Sequence, residues 1–447
     1  MTVQPNSIEA RDAAYQMHPY SNARKMEAEG SLVIDSGEGI YVTDNTGKTY
    51  IEGMAGLWSV AVGFGEDRLV KAATQQLQQL PYYHSFAQRS HSPAVELSEQ
   101  LIKMAPVPMS KVFFTNSGSE ANDTVVKMLW YRSNALGKPE KKKIISRIKG
   151  YHGVTVASAS MTGLPYNHMS FDLPLSQFLH TGCPHYSAFA QDGETEADFV
   201  ARLAQELDDM IQAEGPDTIA AFIGEPVMGA GGVIVPPAGY WAAIQAVLKK
   251  YDIILIADEV ICGFGRTGKM FGCETMEIEP DIMVMSKQLS SSYIPFSAVM
   301  VNDRVYQPLA DESNRIGTFG HGYTGSGHPV GAAVSLENLK IIQERDLVGN
   351  AARQGAVFQA RLRDLAQDPR AKEARGVGLI GALELKTRNE TVGVAGAALS
   401  EACLERGLIV RALGDTVALC PPLIISETQT NALFDIMGDA LNSLPNG

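Results

Sequence analysis

Apolar positions along the chain follow two rhythms. Through the middle, short aliphatic and β-branched runs at 111–114, 143–148, 219–224, 253–257, 281–285 and 298–301 alternate with longer amphipathic stretches. Several of the short runs are apolar without alternation, the pattern of strands covered on both faces. Between them, Ser92-Pro93 opens a helix, Ser92 as its capping residue and the proline in its first turn, and Pro106 stops it. Ser119 is expected to cap the helix EANDTVVKMLWYRSNAL, which Gly137 ends, and 240–251 reads as another helix. This alternation predicts an α/β fold with a large, mostly parallel sheet. The last third differs: helical periodicity runs over about 331–366, GLIGALEL, GLIVRAL and TVALC read as strands of a smaller α+β unit, and a final helix covers about 428–444. Near the start, GEGIYVTDNTGKTYIEG reads as a hairpin turning at Asn45-Thr46-Gly47. Too small to fold alone, it is expected to pack on the C-terminal unit. The expected division is an N-terminal segment at 1–60, a large domain at 61–335 and a small domain at 336–447.

Composition narrows the classes. With 37 Lys+Arg against 50 Asp+Glu the net charge is −13, which leaves no basic face for nucleic acid or anionic lipid. A content of 45% apolar and 19% charged residues is that of a folded chain rather than a disordered one. The 5 cysteines are scattered without a CxxC pair, so a reducing, cytoplasmic setting is expected. The opening residues lack an apolar signal core, and no stretch of about 18 apolar residues suggests a membrane span.

Candidate chemistry is concentrated at strand ends. Gly263-Phe-Gly-Arg-Thr-Gly268 matches G-x-G-x-x-G, but two acids (Asp258, Glu259) stand where a pyrophosphate would approach and a poor crossover helix follows, so tight turns explain these glycines better. His180, Cys183 and His185 lack a fourth ligand and lie in what reads as a loop, so no metal is expected. Thr115-Asn-Ser-Gly-Ser119 stands between strand and helix, where backbone N–H groups and hydroxyls suit a phosphate; a plain capped turn explains it equally well. Asp258 follows IILIA, and a carboxylate at a buried strand end needs a cationic partner. Lys287 follows DIMVMS, another strand. A buried acid, a strand-end lysine and a phosphate cup together suggest pyridoxal phosphate, with the lysine as the covalent attachment, the acid on the pyridine nitrogen and the cup on the phosphate.

The order TNSGSEAN, YHG, GEPVMGAGG, ADEVICGFGRTG, SK and HGYTGSGHP resembles the class III aminotransferases, and within them most closely the ω-amino acid:pyruvate and amine:pyruvate branch. The resemblance runs from MAGLW to RALGDTVALCPPL. It implies a fold-type I transferase in which Lys287 carries the cofactor and moves the substrate proton, and Asp258 pairs with the pyridinium nitrogen. It further implies that Tyr151 and Val260 cover the two ring faces, that Glu225 positions Asp258 or the cofactor's phenolic oxygen, that His152 lies beside the cofactor, and that Ser117, Gly118 and Ser119 hold the phosphate. Thr324 would complete that cup from a second subunit, which implies a homodimer.

For the substrate, the resemblance implies an aromatic wall of Tyr20, Trp58, Phe86 and Tyr151, with Tyr323 and Ala230 nearby and Arg411 for a carboxylate. Ornithine- and γ-aminobutyrate-type members carry a glutamate in EPxxGEGG that pairs with an arginine; here the position is Ala230, so Arg411 is expected to be free to hold the carboxylate of pyruvate or alanine. The implied reaction is a ping-pong amino transfer from an amine or ω-amino acid to pyruvate. The alternatives are a class III transaminase of another substrate class and an aminomutase. One departure stands out. After the lysine the family often has a glycine-rich turn, whereas this chain has QLSSSYIP, and serine enters such a turn only at negative φ or with tolerated strain.

Overall fold

A computed structural model describes residues 4–388 and 390–445. Among the described residues fifteen strands occur in chain order: β1 Ile34–Glu38, β2 Tyr41–Asp44, β3 Thr49–Glu52, β4 Lys111–Thr115, β5 Lys143–Arg147, β6 Phe178–Thr181, β7 Ile219–Gly224, β8 Ile254–Asp258, β9 Ile282–Met285, β10 Ser297–Val301, β11 Ala371–Val377, β12 Ile380–Leu385, β13 Leu408–Ile409, β14 Arg411–Leu413 and β15 Thr416–Leu419. The central sheet has seven strands in the order β4-β10-β9-β8-β7-β5-β6, with β10 antiparallel to both its neighbours and the other pairs parallel.

Strands β7, β8, β9 and β10 are buried along their whole length, which is why their sequences do not alternate. Successive side chains still point to opposite faces. Ile223, Ile256, Val284 and Val299 join Val125 and Leu129 of the helix Gly118–Ala135 on one side. Phe222, Leu255, Met283 and Met300 belong to the core on the other, to which Trp241, Ile244 and Leu248 of the helix Tyr240–Lys250 also contribute.

The hairpin β2–β3 is extended by β1 on one edge, while β3 pairs in parallel with β13 on the other. A separate four-stranded sheet runs β11-β12-β15-β14. The chain passes from β13 in one sheet to β14 in the other across Val410 alone, and Arg411 is the first residue after that crossing.

Three local expectations are corrected. Ser117, not Ser119, caps the helix Gly118–Ala135: it is extended (φ −150°, ψ 159°) and its Oγ accepts from Glu120 N–H. His91, not Ser92, caps Ser92–Met104, its ring nitrogen accepting from Ala94 N–H. The segment read as a loop around His180 begins as edge strand β6.

The G-x-G-x-x-G segment serves as structure. Gly265 and Gly268 have φ of 109° and 87°. Between them the fully buried Arg266 donates to the carbonyls of Leu379 and Pro421, tying this turn to the C-terminal sheet. Arg266→Met is expected to leave those carbonyls unpaired and lower stability by about 2 kcal/mol, read as a lower urea midpoint; an unchanged midpoint would mean the tie carries no weight. Among the described residues, no helix is long and apolar enough to cross a membrane.

Candidate active site

The carboxyl ends of parallel strands lie along one edge of the sheet, where side chains from different strands converge. Asp258 ends β8, and Lys287 lies two residues past the end of the adjacent parallel strand β9. Glu225 follows β7, the loop 148–153 follows β5, and the turn into the helix Gly118–Ala135 follows β4. A cleft of about 170 Å³ at this edge is lined by Tyr20, Trp58, Gly118, Ser119, Tyr151, His152, Glu225, Ala230, Asp258, Val260, Lys287 and Arg411, all expected from the sequence. Leu57, Asn122, Tyr166 and Ser286 also line it and were not expected.

Four expected residues lie elsewhere in the single chain. The Ser117 hydroxyl accepts the capping bond from Glu120 N–H. Tyr323 donates its hydroxyl to Glu120 O at 3.2 Å. Thr324 is exposed, its carbonyl accepting from the Tyr82 hydroxyl. Phe86 is 45% exposed and lines a second cleft with Phe113, Phe114 and Phe319. Of the histidines flanking Cys183, His180 bonds Thr162 O and His185 bonds Glu373. His185, Glu373 and Glu384 do converge, but Arg375 already bridges the two carboxylates.

Asp258 is held by groups the sequence reading did not assign to it. Its Oδ2 accepts from His152 Nδ1 at 2.8 Å and from Asn122 Nδ2 at 3.1 Å, so Nδ1 is the protonated ring nitrogen. Among the described residues its Oδ1 takes only the N–H of Val260, two residues on. Glu225 does not bond Asp258, which corrects one of its two expected roles. Its carboxyl accepts from Tyr151 N–H and Gly229 N–H, both at 2.9 Å, fixing the backbone beside Tyr151 and Ala230. Burial pushes the Glu225 carboxyl up. Glu259, the second acid of the pair, is pushed up to about 7 by burial and accepts from Gly272 N–H and Cys273 N–H, a structural task.

Lys287 has φ of 42°, left-handed and rare for a side-chain-bearing residue. Desolvation pulls its ammonium below the usual lysine range, against the carboxylates of Asp258 and Glu225, which raise it. Among the described residues the Lys287 ammonium makes no hydrogen bond or ion pair. The turn behind it resolves the question of the serines. Ser291 and Ser292 do adopt positive φ, 47° and 56°. Ser291 offsets that strain by donating to Asn338 Oδ1 at 2.7 Å, and Asn338 Nδ2 donates to the carbonyls of Gln288 and Leu289.

Tyr151 lies beside Tyr20, whose oxygen accepts from Asn167 Nδ2 at 2.7 Å; burial first, then Tyr20, pushes the Tyr151 phenol up. The N–H groups of Gly118 and Ser119, at the start of an 18-residue helix, have no partner among the described residues. Buried Asn122 Oδ1 and His152 Nε2 are likewise without partners.

These observations test the fit of a cofactor directly. The cleft offers free N–H donors and a positive helix end for a dianionic phosphate, spare acceptor capacity on Asp258 for a protonated ring nitrogen, and a desolvated amine for a carbonyl carbon. Together they match pyridoxal phosphate, and the sheet that supports them is that of fold-type I enzymes. The class III aminotransferase family matches residues 22–441, and the chain belongs to it; its members use pyridoxal phosphate. The chain is 50% identical over 419 residues to γ-aminobutyrate transaminase 1, mitochondrial, of Oryza sativa subsp. japonica, covering 92% of this chain and 81% of that protein. It superimposes on the ω-transaminase of Pseudomonas jessenii in complex with PMP with a TM-score of 0.97, 58% identity and 98% coverage of each chain. A transaminase solved with L-alanine gives a TM-score of 0.91 at 62% identity, covering 92% of this chain and 98% of that one.

Proposed function

We propose that this aminotransferase moves an amino group from an amine or ω-amino acid to pyruvate by a ping-pong reaction. The observation that carries the reading is Arg411. It lines the same cleft as Lys287 and Asp258, and among the described residues no carboxylate or carbonyl holds it. Ala230, also in the lining, offers it no charge. Its planar fork is available for a substrate carboxylate, and the arginine is long enough to withdraw when an apolar donor enters. Trp58, Tyr151, Tyr20 and Tyr166 supply the aromatic surface for that donor, selecting by shape and apolar area.

Bound pyridoxal phosphate supplies the electron sink that makes the substrate Cα–H acidic. The protein's residues do the rest. Lys287 would take up the proton of the substrate Cα, its lowered pKa keeping a useful share of neutral amine. Asp258 holds the ring nitrogen protonated, and His152 and Asn122 hold Asp258. Tyr151 and Val260 would confine the ring, and the Gly118 and Ser119 N–H groups would hold the phosphate.

Exposed Tyr82 bonds Thr324, and exposed Tyr83 and Phe86 follow it in the chain, an apolar surface that supports a homodimer in which a second chain brings Phe86, Tyr323 and Thr324 toward this cleft. The parallel pairing of β3 with β13 supports reading 1–60 with 336–447 as one small domain beside a large domain at 61–335. Five buried free cysteines suit a cytoplasmic setting.

The visible spectrum tests the reading. The cofactor band of the purified enzyme is expected to bleach with 1-phenylethylamine and to return with pyruvate. A band that bleaches but returns only with another oxo acid would overturn pyruvate as acceptor. Arg411→Ala is expected to lower kcat/KM for pyruvate by about 100-fold, roughly 3 kcal/mol for a lost bidentate carboxylate contact, while the amine half-reaction changes less than about threefold. Equal losses in both half-reactions would remove Arg411 from the carboxylate site.

A further inference from the structure

The buried carboxyl of Glu52 has no place in the chemistry above. It ends β3, is 7% exposed, and among the described residues no Lys, Arg or His lies within ion-pair distance. An acid so placed costs more than an apolar residue of the same shape, so its bonds should show what it does. Glu52 Oε1 accepts from Met54 N–H at 2.9 Å, and the N–H of Gly56 also faces the carboxyl. Both donors belong to one short and unusual segment.

That segment departs from ordinary backbone at four consecutive residues. Ala55 has φ 47°, Gly56 φ 65° with ψ −97°, Leu57 φ −125° with ψ 63°, and Trp58 φ 64°. A tryptophan at positive φ is a conformational outlier, and each such residue costs about 1–3 kcal/mol unless its surroundings fix it. The segment is closed by Trp58 N–H to Met54 O and Ser59 N–H to Ala55 O. It starts at Gly53, which is itself fixed by Ile409 O and Cys420 N–H. It delivers two side chains to the active-site cleft: Trp58, 1% exposed, and Leu57, 57% exposed.

We propose that Glu52 is a positioning residue that holds the Met54–Trp58 turn by its N–H groups and thereby sets the wall against which the donor amine packs. The clause about the donor rests on the reading of the cleft given above; the placement of Trp58 does not. Burial raises the Glu52 carboxyl to about 7, and the two N–H groups pull against that rise. The titratable side chain that faces it is the Cys420 thiol just beyond β15, which Arg266 and Lys287 also face; Tyr50, on the same strand, gives its hydroxyl to Asp44. The ionised carboxylate is the better acceptor for two N–H groups, so the turn is held most firmly above neutral pH.

The test uses the holoenzyme labelled with 5-fluorotryptophan, whose 3 tryptophans give three fluorine signals, with Trp58 assigned by Trp58→Phe. In Glu52→Gln the Trp58 signal is expected to move while those of Trp130 and Trp241 stay. In the parent enzyme the Trp58 signal is expected to titrate near pH 7, and in Glu52→Gln to stay flat. The cofactor band is expected to persist, with the kcat/KM ratio for 1-phenylethylamine over isopropylamine changing by about tenfold. Should Glu52→Gln fail to fold, Glu52→Asp, which keeps the charge and withdraws it by one methylene, is expected to move the same signal. An unmoved Trp58 signal in the folded variant overturns the proposal. An enzyme without transaminase turnover would sink the reading of the cleft, and the fluorine signal would still decide on Glu52.

Discussion

Lys287→Ala is expected to lower transamination by at least about 10⁴-fold, some 5.5 kcal/mol of barrier, while the chain stays folded. The size follows from what else the cleft contains. Lys287 is the only lysine in its lining, and the other cation there, Arg411, does not give up a proton near neutral pH. Removing the amine removes the proposed covalent attachment and the proposed proton carrier together, and no neighbouring side chain can take over both. Stability should suffer little, because the Lys287 side chain makes no hydrogen bond among the described residues and its partly desolvated charge is itself a burden. The check is steady-state turnover alongside the urea midpoint and the absorption of added cofactor. Turnover within tenfold of the parent would sink the proposed role. Methylamine, supplied in solution, is expected to restore part of the lost rate, because it replaces the base without the tether.

The strand-end pair was legible because it rests on local facts. A run such as IILIA or IMVM declares a buried strand, and a charged residue at its end has few explanations. Relations between distant segments were not legible. Asn122 and Asp258 meet across 136 residues, and nothing in either neighbourhood announces the other. Asn338, which supports the turn behind Lys287, is a polar residue inside an amphipathic helix and reads there as surface. Two serines in TNSGS were equally good caps by type. Backbone dihedrals chose Ser117, and that choice left Ser119 Oγ to accept from Val154 N–H. Edge strands were missed for a related reason. In β11, KEARG carries polar residues because the strand lies at the end of its sheet, so an apolar run is not required of it.

The motif explained partly by turns and partly by capping also shows why a pattern needs its surroundings. In DEV the first acid faces the cleft, and the second turns to cap the helix Gly272–Thr275. Alternation along an extended backbone separates neighbouring side chains, so two adjacent carboxylates perform unrelated tasks within one segment.

Asp258→Asn is the second large effect, expected at 10³-fold or more in both half-reactions, about 4 kcal/mol. The substitution keeps the shape and can keep the hydrogen bonds from His152 and Asn122, since the amide oxygen still accepts. The change falls on the other atom: Oδ1, an acceptor with capacity to spare, becomes an NH₂ donor. A donor cannot stabilise a protonated ring nitrogen, and without that proton the electron sink weakens at the moment negative charge develops. His152→Ala should fall between, because Asp258 keeps its charge and the Asn122 bond but loses the shorter contact. Single-turnover rates for the amine and oxo-acid steps, followed at the cofactor band, separate these effects from binding. A loss below tenfold in Asp258→Asn would mean that the ring nitrogen does not depend on this carboxylate. A His152→Ala loss exceeding that of Asp258→Asn would reverse the proposed order, making the imidazole the group that acts on the cofactor and the acid its support.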